Sequence, residues 1–181
     1  MNVTAQKIAF AGAIAGGYAA LTLALAPISY GAVQFRVSEA LCVLPFFIPC
    51  SAWGLFIGCA IANLISAAGL PDIVFGSSAT LAASLCVAAT GKRAKKKGIF
   101  DKSAGMLRYR LSVCLLPAVF NGPVIGAVLA YTATPEAFLP GLALIGSQVA
   151  AGETAVMLVL GLPLMRYLPR LGFFSRISEK F

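Results

Sequence analysis

Residues 141–165 read GLALIGSQVAAGETAVMLVLGLPLM, from Gly141 to Met165. Glu153 is the one charged side chain in this run. About 20 consecutive apolar residues cross a bilayer as an α-helix, so the stretch predicts a membrane span with a carboxylate held deep inside it. A charge at the bilayer centre costs about 2.5–3.5 kcal/mol on insertion scales and marks a functional site by default.

The rest of the chain has the same character. It has 181 residues, of which 60% are hydrophobic and only 11% charged, and its mean hydropathy is +0.91. A soluble domain usually carries about a quarter charged residues. Backbone facing lipid must satisfy its own hydrogen bonds, so helices or a closed barrel are required. The apolar runs are too long and continuous for the alternating pattern of barrel strands. The sequence therefore predicts an all-α polytopic membrane protein, one integral-membrane domain over 1–181. Six transmembrane helices are expected at about 5–27, 38–49, 51–68, 72–91, 107–131 and 141–165. The second is short and carries Pro45 and Pro49, so it is kinked, tilted or only partly inserted. Discontinuous helices often mark transporter binding sites.

Charge sets the expected orientation. The chain has fourteen basic and six acidic residues, a net charge of +8. Thirteen basic residues fall in three places: Lys7 near the start, the loop and flank from Lys92 to Arg110, and the tail from Arg166 to Lys180. An even number of spans puts these places on one side, and the positive-inside rule makes that side cytoplasmic. Both termini are expected there, in a multi-pass protein of the cell membrane. The clustering suits topology, or contact with phospholipid headgroups, better than nucleic acid, which is not expected as a partner. The Lys92–Lys102 stretch reads as a solvated loop. Lys7, the run from Ile8 to Ala26 and Ala24-Leu25-Ala26 imitate a secretory signal. The run is longer than a typical signal core and Pro27 follows it, so retention as the first helix is expected.

Catalytic chemistry is sparse. No histidine occurs, which removes the commonest general base. No Walker loop or nucleophile-elbow motif is present. The cysteines at 42, 50, 59, 86 and 114 form no close metal-type pair and read as small hydrophobes. No enzyme activity, metal or cofactor is expected. Of the six acids, Glu39, Asp72 and Glu153 are left for recognition, accompanied by the amides Asn63, Asn121 and Gln148. In the first helix Ala11, Ala15 and Ala19 follow a small-xxx-small spacing, as do Gly12 and Gly16, which suits close packing inside the monomer or docking to a partner subunit.

Three blocks in order carry a resemblance. They are Ser29-Tyr30-Gly31-Ala32-Val33-Gln34-Phe35-Arg36-Val37-Ser38-Glu39-Ala40-Leu41, then Gly54 to Leu64 with Asn63, then Asp72 to Ala83. Asn121, Gly152-Glu153 and Gly161-Leu162-Pro163-Leu164 accompany them. Over about residues 5–168 the chain resembles the queuosine-precursor transporter (QueT) family. The resemblance implies a substrate-binding S component of an energy-coupling-factor (ECF) transporter. Such a six-helix subunit captures a vitamin-like solute and works with a membrane scaffold subunit and two cytoplasmic ATPases. It implies docking of the first helix through Ala11, Ala15 and Ala19, and a 7-deazaguanine such as 7-aminomethyl-7-deazaguanine, or queuine, as solute.

The residues suit such a solute. A guanine-like edge offers an N–H beside an NH2, and one carboxylate can accept both in charge-assisted bonds. The neighbouring carbonyl needs a donor, from Asn121, Gln148 or Gln34. The flat ring needs an aromatic face, from Phe35, Tyr30, Phe46 or Trp53. An aminomethyl group suits a second carboxylate. Glu153 is assigned the guanine edge and Glu39 the amine, with the reverse left open. Structural alternatives stand beside these roles. Glu39 can pair with Arg36 or cap a helix, and Asp72 after Pro71 can cap one. Asn63 can bond between helices, and Arg36 can meet solute, Glu39 or a lipid phosphate. The rival functions are an S component for another vitamin and a stand-alone facilitator.

Overall fold

The computed structural model describes residues 3–30, 33–99 and 103–180. Gly31 and Ala32 of the first resembling block, and Asp101 and Lys102 of the basic loop, lie outside the described residues. The described chain is helical throughout, with no strand among these residues. The elements are α1 (Val3–Ala24), a single turn α2 (Ala26–Ser29), a 3-10 helix (Val37–Phe46), α3 (Ser51–Ala62), α4 (Ser77–Lys96), α5 (Ser103–Ala133), α6 (Phe138–Val156), α7 (Leu162–Tyr167) and α8 (Gly172–Lys180). One π-turn, Asp72–Gly76, leads into α4, and another, Met157–Gly161, joins α6 to α7.

Among the described residues, four continuous helical stretches are long and apolar enough to cross a membrane: Val3–Ala24, Asp72–Lys96, Gly105–Ala133 and Pro135–Arg170. Val37–Phe46 and Ser51–Ile65 are apolar but shorter. The second expected span is thus corrected. It is not an α-helix over 38–49 but a ten-residue 3-10 helix buried at nearly every position from Ser38 to Phe46. A 3-10 helix rises about 2.0 Å per residue, so these residues reach about 20 Å. Pro45 has no N–H to give, and the backbone N–H of Phe47 returns to the carbonyl of Leu44 instead. The basic loop also shortens. Lys92 to Lys96 form the last turns of α4. The tail carries α8, whose Phe174 is buried with Leu44 and Ile48.

Glycines set how closely the helices approach. A Cβ on Gly54 would strike the Ala11 carbonyl, and one on Gly58 the Ala15 carbonyl, so α1 and α3 run side by side in the same direction. Gly122 meets Ala150, and Gly126 meets Gly146, so α5 and α6 form an antiparallel hairpin. Gly91 of α4 lies against the backbone of Phe46. The α1 contact uses part of the face expected to dock. Ala15 and Ala19 are buried, and Ala11 and Ala15 press on α3, because glycines opposite them admit the close backbone approach. Their spacing serves packing inside the monomer. Among the small residues left open on α1 are Gly12, Gly16 and Gly17, with no described atom within 4 Å of a would-be Cβ.

Candidate functional site

The 3-10 helix carries the acid of the first block inward. Glu39 is wholly buried. The Tyr18 hydroxyl of α1 donates to its Oε1, and the Cys42 thiol donates to its Oε2 at 2.9 Å. One turn away, Thr22 Oγ1 and Ser38 Oγ share a hydrogen bond of 2.6 Å. Burying an unpaired charge is expensive, whereas a hydrogen-bonded one is tolerated. Both Glu39 oxygens are therefore held by the protein itself.

Glu153 sits differently. It lies on α6 and is 2% exposed. Asn121 Nδ2 of α5 donates to its Oε1 at 2.6 Å. Among the described residues its Oε2 has no hydrogen-bond partner, nor has Asn121 Oδ1. Glu39 and Arg36 are the charged groups acting on Glu153, so the two carboxylates and the guanidinium form one electrostatic cluster. Arg36 is 2% exposed. Its Nη1 points to Cys59 Sγ at 3.7 Å, while Nε and Nη2 have no partner among the described residues. Its guanidinium carbon lies 5.5 Å from the centroid of the Tyr30 ring, close enough for a cation–π attraction.

The segment before the 3-10 helix packs directly beside Glu153. A Cβ on Gly152 would strike the carbonyl of Val33, with the carbonyl of Gln34 at 3.2 Å. Gln34 is buried and adopts φ 47°, a left-handed conformation uncommon outside glycine. Left-handed backbone at a non-glycine residue costs energy and persists where the surroundings fix it. Here it turns the chain so that Arg36 enters the interior. The Tyr30 hydroxyl donates to the Ala62 carbonyl at 2.5 Å. Partial burial pushes its phenol above the ordinary range, while Arg36 opposes that shift, so it remains a donor.

A second polar group lies around the first π-turn. Asn63 Nδ2 donates to the Asp72 carbonyl at 3.0 Å, and Ser66 Oγ donates to Asp72 Oδ2 at 2.5 Å. Asp72 Oδ1 and Asn63 Oδ1 have no partner among the described residues. The Asp72 side chain makes no capping bond at the helix start; it turns inward, where it is also a charged neighbour of Arg36. Asn63 bonds between elements, as its structural alternative anticipates.

The other candidates lie apart. Trp53 is 55% exposed, next to Phe56 in an edge-to-face pair at 6.3 Å. It is also near the start of α3, two turns from the level of Tyr18, because Gly54 meets Ala11 and Gly58 meets Ala15. Phe35 is 42% exposed, and Gln148 is half-buried on α6. Phe46 is buried at the far end of the 3-10 helix. Tyr30 is thus the aromatic ring that the structure brings to Arg36. The cysteines do more than fill space. Cys42 donates to Glu39, and Cys59 Sγ accepts from Thr80 Oγ1 at 3.5 Å and Asn63 Nδ2 at 3.7 Å as well as from Arg36. Tyr18, Cys42, Cys59, Thr80 and Ser66 were not singled out from the sequence. Tyr18 carried the one available signal, a phenol within a run of small apolar residues.

The cluster pairs unpartnered acceptors with unpartnered donors inside an apolar shell. Its free atoms are hydrogen-bonding groups, and the chain has no histidine for acid–base work. A family model described as QueT transporter matches residues 8–170. No curated protein and no solved structure matches. Together with the long apolar helices, the match makes this a multi-pass membrane protein. Because the match runs from α1 to the turn after α7, through every element that builds the cluster, the chain belongs to the QueT transporter family.

Proposed function

We infer that the chain is the substrate-binding S component of an ATP-driven ECF importer, and that it captures a queuosine precursor of the 7-deazaguanine class. In this reading Val37–Phe46 and Ser51–Ile65 complete a bundle of six membrane segments with both termini cytoplasmic. The observation that carries the solute assignment is the set of unsatisfied atoms in one buried cluster: Glu153 Oε2, Arg36 Nε and Arg36 Nη2. A guanine-like edge places two N–H donors beside a carbonyl. Glu153 accepts from the donors, and the Arg36 fork donates to the carbonyl, a role earlier open to Asn121, Gln148 and Gln34. Charge-assisted bonds of this kind are roughly twice as strong as neutral ones. The cluster has one guanidinium against the three buried acids Glu39, Asp72 and Glu153, so a solute carrying an ammonium group reduces its excess negative charge. That favours the aminomethyl precursor or queuine over a neutral purine.

The segment 33–36, seated on Gly152, closes the site over Glu153 in this reading. The open Gly12 and Gly16 face of α1 meets the scaffold subunit, and the ATPases act from the cytoplasmic side. Thermal-shift measurements on the purified chain test the solute. The aminomethyl precursor and queuine should raise the unfolding midpoint, and thiamin and riboflavin should not; the opposite pattern makes this an S component for another vitamin. Co-purification with a scaffold and two ATPases, lost on Gly12→Leu while solute binding persists, tests the assembly. Vesicles in which this chain alone moves solute down a gradient would establish a facilitator instead.

A further inference from the structure

A second site lies well away from the buried cluster, where α5 begins and α7 ends. A cavity of about 230 Å³ opens there between Leu107 and Arg110 of α5, Leu158 of the π-turn, and Leu162, Arg166 and Tyr167 of α7. Arg110 is eleven residues from Asn121 along α5, and Arg166 is thirteen from Glu153 along the α6–α7 stretch. At 1.5 Å per residue, roughly 16–20 Å separates the two sites. Nothing assigned to the solute is used here.

Three features make this cavity a place for an anion with a tail. First, the charged neighbours acting on Arg110 are Arg166 and Arg170, both of its own sign; of the described carboxylates none acts on it. Arg170 lies over the Tyr167 ring at 5.7 Å, which directs it along the protein surface. Like charges gathered without a counter-ion repel one another, and a phosphate between them reverses the sign of that term. Second, the remaining wall is apolar. Leu107 and Leu158 are largely uncovered, and Leu162 and Leu158 lie one and two turns deeper along the span than Arg166. The polar end of the cavity is therefore at the helix end and its greasy end points toward the middle of the membrane. Third, Tyr167 is exposed beside the arginines, in the amphipathic position that tyrosine takes at headgroup level.

We propose that Arg110 and Arg166 clasp the phosphate of an anionic phospholipid headgroup, and that the first part of an acyl chain lies along Leu162 and Leu158. A free phosphate would use the arginines alone and make no use of the apolar wall. An acidic protein segment would likewise bury nothing against those leucines. The order of charge then apolar surface along α7 matches a lipid entering from its own bilayer. Basic pockets between membrane helices are known to hold such headgroups.

Native mass spectrometry of the full chain, released from detergent containing equal phosphatidylglycerol and phosphatidylcholine, tests the site. One retained phosphatidylglycerol is expected, with a preference on the order of tenfold. The pair Arg110→Gln with Arg166→Gln should bring that preference close to parity. Arg110→Lys with Arg166→Lys should keep part of it, because charge remains while the fork is lost. Arg93→Gln with Lys95→Gln, at the end of α4, should leave it unchanged. If the glutamine pair does not fold, Arg166→Gln alone, at an exposed position, gives the same comparison. A preference undiminished in Arg166→Gln and in the glutamine pair overturns the proposal. So does stabilisation of the wild type by inorganic phosphate equal to that by phosphatidylglycerol. Stabilisation by poly-glutamate with none by the lipid would instead assign the cavity to an acidic protein partner.

Discussion

Glu153→Gln separates recognition from folding at the cluster. In the native chain Glu153 Oε1 accepts from Asn121 Nδ2 at 2.6 Å, while Oε2 and Asn121 Oδ1 have no partner. Glutamine keeps the shape and replaces one oxygen by an NH2. If Asn121 turns its amide over, its free Oδ1 can accept from that NH2, and the remaining glutamine oxygen takes the place of Oε2. The protein thus exchanges one internal hydrogen bond for another and loses a buried charge that it does not itself fully satisfy. No collapse of the fold is expected, and the unfolding midpoint without solute should stay the same or rise. The solute loses a carboxylate and meets a neutral acceptor. A hydrogen bond to a charged group is worth about 1.5–3 kcal/mol, which corresponds to roughly 10- to 150-fold in dissociation constant. Titration calorimetry of wild type and variant in one detergent, with the aminomethyl precursor, measures it. Glu39→Gln gives the opposite pattern, because both Glu39 oxygens are held by Tyr18 and Cys42: a lower midpoint with a smaller change in affinity. An affinity for Glu153→Gln within about twofold of wild type, which is under 0.5 kcal/mol, refutes the assignment of Oε2 to the solute.

Other substitutions probe the supports of the site. Tyr18→Phe removes the donor to Glu39 Oε1 and leaves a buried acceptor unmet, at a cost of about 1–3 kcal/mol; thermal unfolding in detergent should show a lower midpoint, which Tyr18→Trp is not expected to restore. Gly152→Ala puts a methyl group into the Val33 carbonyl and should lift the 33–36 segment off α6, so that solute dissociates faster in stopped-flow measurements and proteolysis within that segment increases. Gly54→Val drives a side chain into the Ala11 carbonyl, where the backbone cannot yield, and overpacking of this kind costs about 1–3 kcal/mol. Gly12→Val, with open space around it, should leave the midpoint of the isolated chain nearly unchanged.

The apolar runs disclosed the helical class because length and hydropathy are local properties. Val3–Ala24, Gly105–Ala133 and the stretch ending at Arg170 lie where 5–27, 107–131 and 141–165 were expected. The 38–49 run was misread for a physical reason. Its composition suits any buried helix, and hydropathy does not distinguish 1.5 Å from 2.0 Å per residue. It is enclosed by α1, α3, α4 and the π-turn after α6, the last of these far away in sequence. The acids were legible because charge in an apolar run is costly wherever it folds. Their partners were not: nothing local says that Tyr18 reaches Glu39 across twenty-one residues, or that Asn121 reaches Glu153 across thirty-two. The α1 stripe shows the same limit. Its spacing predicts close packing, but only Gly54 and Gly58 on α3 decide that Ala11 and Ala15 are spent inside the monomer.

The 3-10 helix also connects the site to the opposite end of the molecule. An α-helix of ten residues would span about 15 Å, whereas this one reaches about 20 Å. At its start, Arg36 and Glu39 belong to the charged cluster. At its end, the Phe46 backbone bears on Gly91 of α4, and the Phe47 ring meets Phe174 of α8 edge-on at 5.5 Å. Packed interiors resist compression and transmit displacement, and this element is enclosed almost along its whole length. In the proposed reading, solute engaging the free nitrogens of Arg36 would bear on the first turn of an element whose far end packs on α4 and α8. Those two helices carry Arg93, Lys95, Lys96, Arg176 and Lys180, the charges that the positive-inside rule assigns to the cytoplasmic face. If the proposed importer holds its solute at Glu153, this packed element would be the link between the occupied site and the surface offered to the ATPase-bearing partners.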